Sequence, residues 1–208
     1  VVIAGTLKLP EKEIIKNKDK LSLDRFFLTH AWLLAINIAM FGFCWGVLSN
    51  YLAIYSKEAL GITGGTGTYF AILSCGLFLS RLQGRKALRD GRLTQNAMEG
   101  MCLSLVGFIL FVAVPHPVAY YLSAALIGLG NGHLYPAFLN MFVAVARHDQ
   151  RGTANSSILT GWDLGFGIGC LLGGVVAEHW GYGAAFWMVA LENACGVALF
   201  FMAGRQFF

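Results

Sequence analysis

Charge is what this sequence has least of. Asp, Glu, Lys and Arg make up 12% of its residues, against roughly 25% in an ordinary soluble domain. So few solvated side chains cannot cover the surface of a water-soluble fold that is 57% hydrophobic, and the mean hydropathy of +0.63 points the same way. The chain reads as integral to a lipid bilayer. It holds only four prolines, too few to interrupt long helices, and it lacks the short alternating segments that a membrane barrel requires. Its five cysteines, Cys44, Cys75, Cys102, Cys170 and Cys195, include no CxxC pair, and they read as small buried packing residues. No HxxxH or HExxH pairing joins the histidines, which argues against a metal site or an intramembrane metalloprotease. The stretch "GITGGTG" at 61–67 lacks the Lys-Ser/Thr of a phosphate loop and reads as a turn. No cofactor, catalytic group or nucleic-acid partner is expected.

What is present is a series of long apolar runs. Six of them, at 31–51, 65–82, 96–114, 118–146, 153–177 and 184–203, are each about long enough for a ~30 Å hydrocarbon core at 1.5 Å per helical residue. The expected fold is therefore all-α, with six transmembrane helices.

The cations are distributed unevenly around these runs. Lys8, Lys12, Lys16, Lys18, Lys20 and Arg25 precede the first. Arg81, Arg85, Lys86, Arg89 and Arg92 cluster at the connection from the second to the third, Arg147 and Arg151 lie between the fourth and fifth, and Arg205 follows the sixth. Only Lys57 falls on the other side, so the positive-inside rule places both ends of the segment in the cytoplasm. The net charge of +4 is then a topology signal. The lysine-rich "KLPEKEIIKNKDK" is too polar for the apolar region of a signal peptide. Residues 1–28 read as a cytoplasmic linker from a longer protein, and 29–208 as its membrane unit.

Three motifs carry a family resemblance. The chain reads "SRLQGRKALRDGR" after the second run, "RHDQRGTANS" before the fifth and "HWGYGAAFW" before the sixth. These resemble, in turn, the basic loop between the second and third helices of a repeat in the major facilitator superfamily, the Arg-Gly-x-Ala start of its penultimate helix, and its Gly-Tyr/Trp-x-x-Ala-Phe turn. Gly84, Arg89, Gly91 and Arg92 fit the loop pattern, while Leu88 stands at its acidic position and Asp90 two residues on. With Arg85 these residues read either as a cytoplasmic gating loop or as a topology signal alone. The resemblance covers essentially everything after residue 28 and implies the C-terminal half of a 12-helix bundle. It implies alternating access, a solute site near the midplane between two halves, and a missing N-terminal half as partner. By the same resemblance the first and fourth helices line the cavity, the second and fifth face the other half, and the third and sixth face lipid.

Polar residues inside the apolar runs are the candidate site. In the first run these are Asn37 and Trp45, with Asn50 and Tyr51 beyond them. In the fourth, Asn131, His133, Tyr135 and Asn140 surround Pro136, whose missing N–H is tolerated in lipid where a cavity or protein supplies partners. His133 reads as a hydrogen-bonding packing residue or as a proton carrier. Asp163 in the fifth run and Glu192 in the sixth are candidates for proton coupling or for fixing an interface. A carboxylate at mid-bilayer costs about 2.5–3.5 kcal/mol on insertion scales.

The fifth run repeats glycine every four residues, at Gly161, Gly165, Gly169 and Gly173. That spacing drifts only about 40° per step and forms a groove for close helix contact, expected to dock toward the missing half. Leu164, Ile168, Leu171 and Val175 form a stripe expected to face lipid, and Ser156, Thr160, Asp163, Gly167, Cys170 and Gly174 form a small, polar one. The expected function is secondary active transport, driven by protons, at the inner membrane, with efflux of sugars or small amphiphilic compounds. A non-transporting scaffold and an intramembrane enzyme are the alternatives.

Overall fold

The computed structural model describes residues 27–203 and is helical throughout, with no strand among them. The residues before 27, read as a linker, and Arg205 lie outside these. A 3-10 turn at Thr29–Ala31 leads into α1 (Trp32–Leu60), followed by α2 (Thr66–Arg89), α3 (Leu93–Ala113) and α4 (Pro117–Val145). A second 3-10 turn at His148–Gln150 leads into α5 (Arg151–Ala203). At Gly181, φ 85° and ψ 163° break α5 into two arms, 151–180 and 182–203, a backbone region essentially reserved for glycine.

The turns follow from local chemistry. Gly91, at φ 74°, closes α2 in a Schellman motif: the Arg92 N–H bonds the Ala87 carbonyl at 2.9 Å and the Gly91 N–H bonds that of Leu88 at 3.3 Å. His116 caps α4, its Nδ1 accepting from the Val118 N–H at 3.2 Å, while Pro117 occupies the first helical turn, where no N–H is needed.

Helices occupy every expected run. Thr29–Leu60, Leu93–Ala113 and His148–Ala203 are long and apolar enough to cross a membrane. In α2 and α4 the helices form, but Arg81 and Gln83 in one and Asn131, His133 and Asn140 in the other dilute their apolar character.

Glycine sets the packing. A Cβ on Gly165 or Gly169 would meet the carbonyl oxygen of Ala39 or Phe43, and one on Gly161 would meet Ile38 and Ala35. Reciprocally, a Cβ on Gly42 or Gly46 would strike the carbonyl oxygen of Trp162 or Phe166. The four-residue groove of α5 is therefore filled by α1 of the same chain, and the expectation that it docks toward a missing half is corrected. Periodicity marks a face for close approach without naming what approaches, and α1 carries matching glycines.

The same device joins α3 to α4, where Gly100 and Gly130 oppose each other. It also joins α2 to α4, where Gly128 lies on the Leu73 backbone and Gly132 on Ser80 and Leu77.

The second arm of α5 runs back along α1: Phe186 stacks on Tyr55 at 4.8 Å between centroids, and the Asn37 Nδ2 donates to the Gly196 carbonyl at 2.9 Å. Two apolar clusters result, one around Leu48, Tyr69, Phe111 and Phe186, the other around Ile38, Met101, Phe138 and Phe200 at the end carrying the arginines. Buried Ser104, Asn131 and Asn193 lie between them along α3, α4 and α5, and the Asn193 Nδ2 donates to the Ser104 Oγ at 3.2 Å.

Of the cysteines, Cys44 is buried and Cys170 half-buried, whereas Cys75, Cys102 and Cys195 are exposed. That corrects the reading of all five as buried packing residues. On a helix whose outer surface is also apolar, a small apolar residue carries no sign of which way it faces.

Candidate functional site

Three half-buried aromatic rings from three helices meet on one side of the bundle. Tyr135 of α4 stands edge-on to Trp162 of α5 at 5.5 Å and 88°. Trp162 meets Trp45 of α1 at 6.2 Å and 51°. These spacings suit edge-to-face and tilted aromatic pairs. The glycine seam creates the arrangement, because Gly42 lies on the Trp162 backbone and draws that side chain against α1 one turn before Trp45. The Trp45 Nε1 is buried and has no hydrogen-bond partner among the described residues.

Asp163 follows Trp162 and is exposed. It makes no hydrogen bond or ion pair with the described residues. Ser156, Thr160 and Gly167 extend the same exposed face, and Gly167 has open space where a Cβ would stand. Leu164, Ile168, Leu171 and Val175 are exposed as a separate apolar stripe.

The other candidates lie elsewhere. Asn37 is buried toward the second arm of α5. Asn131 is buried, its Nδ2 donating to the Ile127 carbonyl of its own helix at 2.9 Å. The side-chain oxygens of both have no partner among the described residues. Neither is on an open wall. A polar residue in an apolar helix can serve the bundle interior as readily as a cavity.

His133 is buried between α2, α3 and α4. The Asn96 Nδ2 donates to the His133 carbonyl at 3.1 Å, so its Oδ1 is the acceptor 2.9 Å from the His133 Nδ1, which must carry a proton. Gly84 makes room for the pair, since a Cβ there would lie 3.1 Å from that Nδ1 and 3.3 Å from the Asn96 Oδ1. The pair ties three helices together, and the signal for the partner of His133 was an asparagine in the first turn of α3. Asn96→Ala should lower thermal stability by about 1–3 kcal/mol by stranding two buried groups. Asn140→Ala, at an exposed residue that bonds only the Pro136 carbonyl at 2.7 Å, should stay within about 0.5 kcal/mol. Detergent-solubilised unfolding curves compare the two; equal midpoints would refute the pinning role.

Glu192 lies half-buried on the second arm within electrostatic reach of Cys44, on the opposite arm from Asp163. The expected loop is corrected in part: Gly84, Arg85 and Arg89 lie in the last turns of α2 and only 90–92 form the turn, because the stretch from 81 to 89 meets no proline or left-handed glycine before Gly91. Arg85, Arg89 and Arg92 are exposed. Asp90 pairs with Arg92 at 3.4 Å with both side chains nearly half exposed, a geometry worth little stability. Among the described residues no cluster of His, Cys, Asp and Glu could hold a metal ion.

The model of the Major Facilitator Superfamily matches residues 97–206. An uncharacterised MFS-type transporter of Burkholderia mallei (strain SAVP1) is 29% identical over 174 residues, 83% of this chain and 41% of that protein. Multidrug resistance protein MdtG of Klebsiella pneumoniae (strain 342) is 29% identical over 170 residues, 78% of this chain and 40% of that protein. The chain thus spans about two-fifths of the length of these relatives. Among solved structures, the POT family transporter PepTSo has a TM-score of 0.71 at 16% identity, covering 91% of this chain and 39% of that one. A peptide transporter POT in complex with sulfate has 0.65 at 20%, covering 84% and 37%. At those identities the likeness is one of fold. Because the family model matches more than half of its residues, the chain belongs to the major facilitator superfamily.

Proposed function

We propose that this chain is the C-terminal, six-helix half of a proton-coupled secondary transporter that moves a small solute by alternating access. The observation that carries the reading is the open aromatic face at Tyr135, Trp162 and Trp45 with unpartnered Asp163 at its edge. In lipid an unpaired carboxylate is costly, so this face belongs against water and a second half. The two arms of α5 are then the fifth and sixth spans, and α2 and α4 the second and fourth, with their polar residues turned to protein or cavity. Arginines gathered at one end favour cytoplasmic ends for this segment in the inner membrane. The basic end of α2 with the turn at 90–92 is the cytoplasmic element that gates the cavity, held to α4 through Gly84. MdtG's name favours efflux of a small amphiphilic compound over sugar transport.

Single cysteines test the cavity, placed in a background whose native cysteines are replaced by alanine. In sealed vesicles Thr160→Cys and Gly167→Cys should react with a water-soluble maleimide, while Leu164→Cys and Leu171→Cys should not. Protection of positions 160 and 167 from the reagent would sink the water-filled cavity and the transporter reading with it.

A further inference from the structure

A cavity of about 350 Å³ opens between the start of α3 and the end of the second arm of α5, lined by Thr94, Gln95, Met98 and Glu99 from the one and by Phe200 and Phe201 from the other. Its apolar wall is continuous with the bundle: Phe200 is buried in the cluster at the arginine end, Met98 packs against that cluster, and Phe201 is exposed beside them. Its other wall is polar. The Arg92 Nη1 donates to the Gln95 Oε1 at 3.5 Å and the Gln95 Nε2 donates to the Glu99 Oε1 at 2.9 Å. A cation, an amide and a carboxylate thus follow one another along successive turns of α3, all three exposed. Among the described residues no cation pairs with Glu99.

Depth decides what reaches this cavity. Glu99 lies about 9 Å along the helix axis from Leu93, the first residue of α3, and each headgroup layer of a bilayer is roughly 5–8 Å deep. The carboxylate therefore stands where headgroups end and acyl chains begin, with the apolar wall at the level of the chains. A phospholipid of the adjoining leaflet is the molecule that meets it there. Glu99 then sorts the headgroups. An anionic headgroup is drawn to the arginines but repelled at the carboxylate. A quaternary ammonium brings the right charge and no N–H to donate, whereas a primary ammonium makes a charge-assisted hydrogen bond. Resting on the membrane placement of α3 and α5 proposed above, and not on proton transfer at Asp163, we infer that this cavity binds a diacyl phospholipid with a primary ammonium headgroup, of the phosphatidylethanolamine class. Its ammonium sits at Glu99, its phosphate lies across Gln95 toward Arg92, and its chains lie on Met98, Phe200 and Phe201.

Three lipids with the same palmitoyl and oleoyl chains separate the contributions: phosphatidylethanolamine, phosphatidylcholine and phosphatidylglycerol. The purified protein in detergent is titrated with each, and bound lipid is counted by native mass spectrometry. Phosphatidylethanolamine should bind at least about tenfold more tightly than either of the others, the scale of one charge-assisted hydrogen bond. Glu99→Gln, an isosteric change at an exposed residue, should bring it to the level of phosphatidylcholine while the unfolding midpoint holds. Thr94→Trp, which fills the cavity, should lower binding of phosphatidylethanolamine as well. The inference is overturned if phosphatidylcholine binds as tightly as phosphatidylethanolamine, if the preference survives Glu99→Gln, or if none of the three binds saturably. Maleimide labelling at Gly167→Cys keeps this failure apart from that of the transporter reading, because a reactive position 167 leaves transport standing when the lipid preference is lost.

Discussion

Gly165→Leu should abolish accumulation of folded protein in the membrane, whereas Gly167→Leu, two residues along the same helix, should leave yield and thermal unfolding nearly unchanged. A first side-chain carbon at position 165 falls on the Ala39 carbonyl oxygen and on backbone atoms behind it. Backbone cannot rotate aside as a side-chain tip can, so α1 and α5 must separate along the seam. That seam also seats Gly161, Gly169, Gly42 and Gly46, and a local separation forfeits close contact at each. Overpacking one core position costs typically about 1–3 kcal/mol, and here several neighbouring contacts fail together. Position 167 has nothing within reach of a new carbon. Size-exclusion profiles of the two variants decide the matter, and a monodisperse Gly165→Leu protein at wild-type yield would contradict the interlocked seam.

Asp163→Asn should lower flux driven by a proton gradient by about a hundredfold or more, the lower end of what a positioned proton-transfer group contributes, while the unfolding midpoint holds. The stability half of this expectation rests on the absence of any hydrogen bond or ion pair from Asp163 to the described residues, so nothing in this bundle is left unsatisfied by the amide. The flux half rests on the carboxyl's exposed place on α5 next to Trp162. Uptake into proteoliposomes with and without an imposed pH difference gives the comparison. If flux is unchanged while the fold is intact, Asp163 carries no protons.

The helices were legible because a bilayer imposes a length and a hydropathy that the runs at 31–51 or 96–114 display openly. The contact face of α5 was legible too, since four glycines at four-residue spacing can only be a surface of close approach. Its occupant was not, because complementarity lies in α1, more than a hundred residues earlier, where Gly42 and Gly46 look unremarkable alone. Cys75 and Cys195 were misplaced for a related reason: in a membrane protein outward and inward faces are both apolar, so hydropathy does not separate them. For the proposed site, residue types were legible and their surroundings were not. Tyr135, Trp45 and Asp163 stood out as polar or aromatic residues in apolar helices, but the same test selected Asn37, Asn131 and His133, which satisfy backbone and side-chain groups inside the bundle. Distinguishing the two sets takes knowledge of which helices adjoin, as the Asn96–His133 pair makes plain.

Gly181 joins the two arms of α5 with no loop between them. The first arm is keyed to α1 by glycines, and the second reaches α3 through Asn193 and Ser104. Because α1 also meets the second arm, through Tyr55 on Phe186 and Asn37 on the Gly196 carbonyl, one straight helix spans both sides of the bend and acts as its splint.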